Sequence, residues 1–444
     1  MSTQRTEPAR GMRDFLPEDI RRREHVVGLI RRVYERYGFE PLETPAVENL
    51  DTLLGKYGEE GNQLIFKILK RGEHEATGQA DLALRYDLTV PLARVVAHHR
   101  SKLPRLFRRY QIQPVWRADR PARGRFREFY QCDVDALGSG SPLVEAELCA
   151  AVSDALTELG FDDFVIRLNH RELLTALLDV AGIAPEHHGG ALVAIDKLDK
   201  IGPDGVRADM EARGIDRDAA GSLLRVFDTA RSGTDGPGID VGEAGVAAFG
   251  NVAAILALAE GTSARGKVRF EPSLARGLSY YTGAIMELNV PDLAGSLGGG
   301  GRYDDLVGMF SGQSIPACGF SLGLERILVV MGERGMFPAS LASTPADVMV
   351  ALFDAAGGPQ AVRLAARWRG EGVRVLVYPD ADRIGRQIKY ADSLGIPFVA
   401  ILGADEIAAG TVTVKNLATQ TQETLAQETA GKAILERVRQ RHRG

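Results

Sequence analysis

Residues 120–135, RPARGRFREFYQCDVD, place two opposite kinds of charge side by side. Four arginines come first: Arg120, Arg123, Arg125 and Arg127. Carboxylates follow almost at once: Glu128, Asp133 and Asp135. Guanidinium groups suit a polyanion such as a triphosphate, because they make bidentate contacts to oxygen. The carboxylates could hold a cationic or hydrogen-bonding group beside that polyanion.

The residues on both sides of this loop alternate with period two, which predicts β-strands. Before the loop, RYQIQPVWR puts Arg109, Gln111, Gln113 and Arg117 on one face. After it, the polar face carries Gln131, Asp133 and Asp135. We therefore expect an antiparallel hairpin with a long basic tip. Its polar face is either simply solvated, as in many antiparallel sheets, or the floor of a binding site. Gln and Asp are poor strand formers, which favours the binding site.

Three later stretches carry further candidate chemistry. LARGLSYYTGAIMEL, 274–288, is apolar enough for a buried strand yet contains Arg276, whose burial without an anion would be costly. GSLGGGGRYDDL, 295–306, is neither a P-loop nor a GxGxxG turn, and its glycines predict close backbone approach at a strand turn. CGFSLGLERILVVMG, 318–332, predicts a strand running into a helix with Arg326 near its start. That helix alone could be an ordinary amphipathic one.

The composition sets outer limits on the class of protein. The chain has 444 residues, 45% of them hydrophobic, which suits two or three globular domains. Its net charge of −5 means that any nucleic-acid binding must use local patches. We find no run of 18 apolar residues and no apolar leader in MSTQRTEPAR, so we expect no membrane segment and no secretory signal. Three cysteines without metal spacing predict a reducing cytoplasm and no structural metal.

The chain divides by composition. Residues 1–335 mix charged helical patterns, short apolar strands and a glycine-rich region, with a mostly helical part at about 171–265. PASLASTP, 338–345, is the expected linker. Strand and helix patterns then alternate over 346–444, which predicts a separate α/β domain with a mostly parallel sheet.

Together these stretches resemble the class II aminoacyl-tRNA synthetases and, within them, the histidyl-tRNA synthetase family. YGFEPLETPAVE, built around Pro45, resembles the first class II motif, the hairpin the second and GFSLGLERI the third. GMRDFLP, RYDLTVPLAR and RGLSYYTG are similar to the histidine-specific signatures, although Ser279 stands where we would expect Asp. RQIKYADSLG and GTVTVKNL are typical of the anticodon-binding module.

The resemblance implies a fold and a function. The fold is an α+β catalytic domain, an antiparallel sheet flanked by helices, with a helical insertion and a C-terminal α/β anticodon-binding domain. The function is that of a histidine–tRNA ligase, which activates L-histidine with ATP and Mg²⁺ and transfers it to the 3′ end of tRNA(His). In that family the first motif forms the dimer interface, so the resemblance also implies a homodimer.

Roles for individual residues follow from the resemblance, position by position. Arg276 and Arg117 are the implied catalytic residues, stabilising charge at the α-phosphate. The implied histidine-binding residues are Asp87, Thr89, Gln131, Asp135, Tyr280 and Tyr281. The implied ATP-binding residues are Arg117, Arg125, Arg127, Phe129 and Arg326.

Three alternative functions differ in what they require. A catalytically inactive paralogue, the regulatory subunit of an ATP phosphoribosyltransferase in histidine biosynthesis, would lack the last module and usually the signature arginine. Both Arg276 and residues 346–444 are present, which argues against it. An RNA-binding or sensor module would not need an ATP pocket, and RGLSYYTG argues against a class II enzyme for threonine, proline or glycine.

Overall fold

The computed structural model describes residues 6–72, 77–232, 238–275, 280–338, 341 and 344–441. The chain forms two compact units, Met1–Phe337 and Pro338–Gly444. The boundary between them falls at the start of the expected linker at 338–345.

Strands and helices alternate irregularly in the first unit. Its strands are β1 (Glu40–Pro41), β2 (Val47–Asn49), β3 (Lys67–Leu69), β4 (Ala80–Leu84), β5 (Phe107–Trp116), β6 (Glu128–Leu137), β7 (Val165–His170), β8 (Val268–Phe270), β9 (Ala284–Asn289), β10 (Gly298–Arg302) and β11 (Ala317–Gly323). Its helices are α1 (Pro17–Arg36), α2 (Leu50–Leu53), α3 (Gly58–Gln63), α4 (Thr89–His98), α5 (Leu143–Glu158), α6 (Arg171–Val180), α7 (His188–Ile195), α8 (Leu198–Ala212), α9 (Arg217–Ser232), α10 (Gly242–Ala259), α11 (Gly308–Ser311) and α12 (Leu324–Glu333).

Among the described residues, eight strands form one sheet in the order β1-β5-β6-β11-β10-β9-β7-β8. The strands from β5 to β7 pair antiparallel, and the two edge strands β1 and β8 pair parallel with their neighbours. The predicted hairpin is confirmed: in the β5–β6 ladder Arg109 lies opposite Asp135, and Gln113 lies opposite Gln131. A separate small sheet has the order β2-β4-β3.

The large sheet has one apolar and one polar face, because side chains alternate along each strand. Residues of the apolar face, such as Cys132, Val134 and Phe320, join a buried core with residues of α1, α5 and α12. Paired residues in the ladders share a face, so the polar face continues from Asp135 to Gly319 on β11 and on to Gly301 on β10. The core therefore supports the sheet from one side and leaves its polar side for other contacts.

Helices α6 to α10 follow strand β7 and share a second core, which includes Leu174, Leu177, Leu223 and Phe227. Helix α10 is long and apolar enough to cross a membrane by length and composition alone. It packs against α5, α6 and β7, and its inward face, including Val252 and Ile255, is buried.

Two local predictions need correction. Of the strand predicted over 274–288, residues 276–279 lie outside the described residues, and strand β9 begins at Ala284, because the chain at 280–283 makes a turn in which the Thr282 amide donates to the Arg302 carbonyl of the adjacent strand. The glycines at 298–301 form strand β10 inside the sheet, not a strand turn. Their predicted close backbone approach is confirmed, since a Cβ on Gly301 would lie 2.7 Å from the Ala284 carbonyl oxygen.

The second unit shows the predicted alternation. Its strands are β12 (Val348–Leu352), β13 (Val375–Val377), β14 (Phe398–Leu402), β15 (Thr411–Asn416) and β16 (Gln422–Ala426). Its helices are α13 (Gly358–Gly370), α14 (Ile384–Ser393), α15 (Ala404–Ala409) and α16 (Gln427–Arg441). Strands β13, β12 and β14 are parallel, and β15 and β16 continue the sheet antiparallel. The buried Trp368 of α13 anchors a core between this sheet and α16.

Candidate active site

The polar face of the large sheet contains a buried ion pair. Arg109 on β5 is fully buried, and its Nη2 lies 2.9 Å from Oδ2 of Asp135 on β6. The same nitrogen lies 3.8 Å from Oδ2 of Asp133. One guanidinium thus serves two buried carboxylates, so this part of the face is negative when both are ionised.

A third buried carboxylate, Asp87, lies between helix α4 and the tyrosines. Its Oδ1 accepts hydrogen bonds from the Tyr57 hydroxyl at 3.0 Å and from the Val90 amide at 3.0 Å. Its Oδ2 accepts one from the Tyr280 hydroxyl at 3.1 Å. Burial raises the pKa of Asp87, and these hydrogen bonds oppose the rise. Thr89, the first residue of α4, also hydrogen-bonds to Tyr280.

The three buried carboxylates, Asp87, Asp133 and Asp135, form an acidic floor that tyrosines enclose. The Tyr303 hydroxyl donates to Oδ1 of Asp135. The ring of Tyr280 makes edge contacts with Tyr281, at 5.1 Å between centroids, and with Tyr303, at 6.0 Å. Burial and neighbouring charges, including those of Asp133 and Asp135, raise the pKa of Tyr281. Its phenol therefore stays protonated and can donate a hydrogen bond.

The pKa of Asp133 is raised to about 7, chiefly by burial; Arg109 lowers it and Asp135 raises it. The carboxylate accepts a hydrogen bond from Gln131 Nε2 at 3.4 Å and interacts with Ser321. Gln131 Nε2 also donates to Ser321 Oγ at 2.7 Å. In the described part of the chain, Gln131 Oε1 is buried without a hydrogen-bond partner. A ligand with N–H groups would satisfy that acceptor.

Glycines on the neighbouring strands keep this floor open. Gly319 on β11 lies opposite Asp135, and a Cβ there would collide with the Asp135 carboxylate. A Cβ on Gly301, on the next strand, would lie 2.8 Å from the Tyr281 ring. Only glycine fits at these two positions without moving a side chain of the floor.

Arg117 and Phe129 lie at the far end of the same hairpin. Arg117 Nε donates to the Tyr86 carbonyl at 3.0 Å, and its guanidinium lies 4.3 Å from the Tyr86 ring and 5.2 Å from the Phe129 ring. Across the described residues its terminal nitrogens make no ion pair. The group is thus oriented by aromatic rings and can bind an anion.

The basic loop between β5 and β6 is tied at both ends. The Arg117 amide donates to the Arg127 carbonyl at 2.9 Å. Arg127 Nε donates to the Asp119 carbonyl, and Arg125 Nη2 pairs with the Asp119 carboxylate at 2.9 Å. Asp119 therefore orients both arginines, and Arg125 is largely exposed to solvent.

Arg326 approaches this loop from the start of helix α12. Its guanidinium donates to the Gly124 carbonyl at the loop tip and to the Ser296 carbonyl. Gly124 has a left-handed backbone, with φ of 66°, and packs against the Arg326 side chain. The preceding residue, Glu325, is buried, which raises its pKa to about 7, and it accepts a hydrogen bond from the Tyr130 amide at 2.9 Å.

The predicted site residues that the structure describes thus fall into two groups, one at each end of the β5–β6 hairpin. Around the acidic floor lie the residues predicted to bind histidine: Asp87, Thr89, Gln131, Asp135, Tyr280 and Tyr281. Around the basic loop lie those predicted to bind ATP: Arg117, Arg125, Arg127, Phe129 and Arg326. Arg276 lies outside the described residues, as does Ser279.

Several residues of the site received no role from the sequence. The alternation puts Arg109 and Asp133 on the polar face, and a buried charge pair on a predicted strand could have been the signal for them. Tyr57 and Tyr303 are single tyrosines outside the helices and strands, and only tertiary contacts bring them to Asp87 and Asp135.

Known proteins resemble the chain over almost its full length. The sequence model described as histidyl-tRNA synthetase matches residues 11–327. The chain belongs to the histidyl-tRNA synthetase family. A model of the anticodon-binding domain matches residues 347–437. The family and the fold class predicted from the sequence are confirmed.

Individual relatives agree with this family assignment. Histidine–tRNA ligases of Gloeobacter violaceus and Christiangramia forsetii are 42% and 38% identical, over 97% and 94% of this chain and 98% and 96% of theirs. The crystal structure of histidyl-tRNA synthetase from Nostoc sp. is 30% identical, with a TM-score of 0.77, covering 98% of this chain and all of that one. These full-length matches favour the ligase over the regulatory paralogue.

Asp133→Asn tests the charge imbalance of the floor through pH-dependent stability. The carboxyl pKa is raised from 3.8 to about 7, so the stability linked to its protonated form is present at pH 4 and is lost as the pH rises through 7. We expect the variant to gain melting temperature relative to the wild type between pH 5 and pH 8, by a few degrees. Calorimetry at several pH values measures this difference.

The matched control is Asp81→Asn, because Asp81 is exposed on β4. It should leave the pH dependence of melting unchanged. If the melting temperatures of Asp133→Asn and wild type differ by the same amount at pH 5 and at pH 8, the buried charge assigned to Asp133 is contradicted.

Proposed function

We propose that this chain is a histidine–tRNA ligase that forms histidyl-adenylate on the polar face of the large sheet and then charges tRNA(His). The observation that carries the proposal is the division of one hairpin into a buried acidic floor and an arginine-rich loop. That arrangement suits a cationic amino acid next to a triphosphate. Family membership supports the same reaction.

Histidine binds at the acidic floor in this proposal. Asp87, Thr89 and Gln131 receive the α-ammonium group, and the buried Gln131 Oε1 acceptor supports this. Asp135 accepts from one ring nitrogen, and the protonated phenol of Tyr281 donates to the other, with Tyr280 beside it. A site that presents both an acceptor and a donor penalises amino acids that leave either unpaired.

ATP binds at the basic loop, and Mg²⁺ enters with it as part of the substrate. Phe129 stacks on adenine, Arg326 holds the nucleotide from the other side, and Arg117 contacts the α-phosphate. The cation–π geometry of Arg117 against Tyr86 and Phe129 supports this placement. Arg125 and Arg127 contact the remaining phosphates and the end of the tRNA.

Charge neutralisation and positioning account for the first step. The histidine carboxylate attacks the α-phosphorus, the bond to pyrophosphate breaks, and both reacting groups are anions. The arginines offset that repulsion, and no side-chain nucleophile is required. In the second step the terminal ribose hydroxyl of the tRNA attacks the histidyl carbonyl and releases AMP.

Amino-acid-dependent pyrophosphate exchange tests the function. We expect exchange with L-histidine and none with threonine, proline or glycine. Asp135→Asn is the variant that links the activity to this floor, because it replaces an acceptor with a donor of similar size. It should raise the KM for histidine roughly 10- to 100-fold, the equivalent of about 1–3 kcal/mol, and leave the KM for ATP nearly unchanged. It should also lower the melting temperature, because the buried Arg109 loses its charged partner. Absence of histidine-dependent exchange in the wild type would refute the proposal.

Arg276→Ala tests the proposed catalytic arginine. We expect adenylate formation to fall about 10²- to 10³-fold, by analogy with loss of one oxyanion-hole donor. Transfer from preformed histidyl-adenylate should suffer less, because that barrier lies at the carbonyl carbon. Single-turnover kinetics measure the two steps separately. A variant that melts far below the wild type yet exchanges pyrophosphate normally would make Arg276 a structural residue instead.

The proposed domains are a catalytic domain at 1–335 with a helical insertion at about 171–265, a linker at 338–345, and an anticodon-binding domain at 346–444. The split into two compact units at Phe337 supports this division.

A chain ending at Phe337 should still form adenylate but charge tRNA poorly, since all the proposed ATP and histidine residues precede the cut. Pyrophosphate exchange and aminoacylation assays measure the two activities. Exchange by residues 346–444 alone would contradict the division.

We also propose a cytoplasmic homodimer. The small sheet that follows the Pro45 stretch exposes Val47, Leu69 and Leu82, which supports an apolar interface there. Three buried free thiols, Cys132, Cys149 and Cys318, support a reducing compartment.

We expect light scattering to give a dimer at micromolar concentration, and Leu82→Asp to weaken it. An obligate interface would bury more than about 2,000 Å². A fully active monomer would contradict the proposal.

A further inference from the structure

The segment Gly11–Phe15, which precedes helix α1, runs directly over the basic loop. The Arg127 amide donates to the Gly11 carbonyl at 2.8 Å. Gly11 has a left-handed backbone with φ of 83°, and a Cβ there would lie 2.8 Å from Arg127 Cγ and 2.9 Å from Pro121 Cγ. The segment therefore contacts the loop so closely that only glycine fits.

Arg13 makes a second contact with the loop. Its guanidinium lies 3.5 Å from the centroid of the Phe126 ring and 4.9 Å from that of Phe15. Phe126 stands between Arg125 and Arg127, the two loop arginines proposed to contact ATP. Stacking on Phe126 thus restricts the part of the loop from which both arginines extend.

The same guanidinium reaches helix α12. Arg13 Nη2 lies 3.9 Å from Oε1 of Glu325, and no hydrogen bond to that oxygen is present among the described residues. The other oxygen of Glu325 accepts from the Tyr130 amide on β6. Glu325 directly precedes Arg326, so one arginine links the loop and the helix that carry the proposed ATP contacts.

Helix α1 fixes this arrangement from outside. Its Arg23 guanidinium lies 4.9 Å from the rings of both Phe15 and Tyr130. Arg13 and Arg23 both act electrostatically on the buried Glu325 carboxylate, and the rings of Phe15, Phe126 and Tyr130 contact the two guanidinium groups. Planar guanidinium groups between rings hold a defined orientation, which a flexible ammonium or an aliphatic side chain would not.

We propose that Gly11–Phe15 is a brace that holds the basic loop and the start of α12 at the separation needed to bind ATP, with Arg13 as its positioning residue. The inference rests on the proposed function. Arg13 contacts Phe126 and Glu325, the neighbours of the ATP-binding arginines, and acts through them.

Arg13→Ala tests the brace, because it should change the KM for ATP much more than the KM for histidine. Losing the stack and the ion pair leaves the histidine floor intact, so we expect the KM for ATP in pyrophosphate exchange to rise about ten-fold, while the KM for histidine changes less than about two-fold. Arg13→Lys should fall between wild type and Arg13→Ala, because it keeps the charge but loses planar stacking. Arg10→Ala is the matched control, since Arg10 is exposed three residues earlier and should behave as wild type.

Hydrogen exchange of the free protein gives a readout that does not require activity. In Arg13→Ala, we expect the amides of the basic loop, including that of Arg127, to exchange faster than in the wild type, while those of α4 do not. An unchanged KM for ATP, or equal rises in both KM values with a lower melting temperature, would overturn the brace. If the wild type shows no histidine-dependent pyrophosphate exchange, the proposed function fails. Hydrogen exchange of the loop amides that is the same in Arg13→Ala as in the wild type would separately refute the brace.

Discussion

The buried pair between Arg109 and Asp135 is the interaction on which the site depends. Removing one partner of such a pair leaves an uncompensated charge in a low-dielectric interior, which typically costs about 3–5 kcal/mol. The pair sits at matched positions of the β5–β6 ladder, so the register of the hairpin and the charge of the floor are fixed together. Asp133 and Asp87 add two more buried carboxylates, and among the residues that the structure describes no second arginine pairs with either at the 2.9 Å of the Arg109–Asp135 contact. In the proposed function, the α-ammonium group of the bound amino acid supplies a positive charge that offsets these carboxylates.

A floor that must accept a ligand also needs space above it. Here the space exists because two positions of the sheet are glycines, which have no side chain. The polar face passes from Asp135 to Gly319 and Gly301, where a Cβ would strike the carboxylate or the Tyr281 ring. The opposite face of the same strands is filled, with Phe320 and Val134 in the core. Rigidity and openness thus come from the two faces of one sheet, because alternation lets each strand contribute to both. The four glycines at 298–301 resemble a loop sequence, although they form strand β10, because the site needs positions there without side chains.

The sequence was sufficient for features that depend on local pattern and insufficient for those that depend on distant contacts. Period-two alternation predicted β5 and β6, and the strand and helix rhythm after 346 predicted the second unit. Residues 280–283 of the strand expected over 274–288 form a turn before β9 begins at Ala284, because apolar composition does not reveal where the backbone turns to meet Arg302. Tyr303 and Tyr57 reach the carboxylates only through the tertiary fold. Arg13 belongs to the signature stretch GMRDFLP, but sequence reasoning assigned it no role, because its neighbours Phe126 and Glu325 are more than 100 residues away along the chain.

Strand β6 also sets the distance between the two ends of the proposed substrate. Phe129, the proposed adenine contact, and Asp135, the proposed imidazole contact, are six residues apart on the same face. At about 3.3 Å per residue, an extended strand separates them by roughly 20 Å. A nucleotide and an amino acid joined end to end through a phosphate need a span of that order, and Gln131 lies between the two positions, where the ammonium group would be. Because both contacts belong to one hydrogen-bonded strand, a one-residue slip would turn all of them to the apolar face at once. The ion pair of Arg109 with Asp135 opposes such a slip, so it also preserves the spacing between the proposed adenine and imidazole contacts.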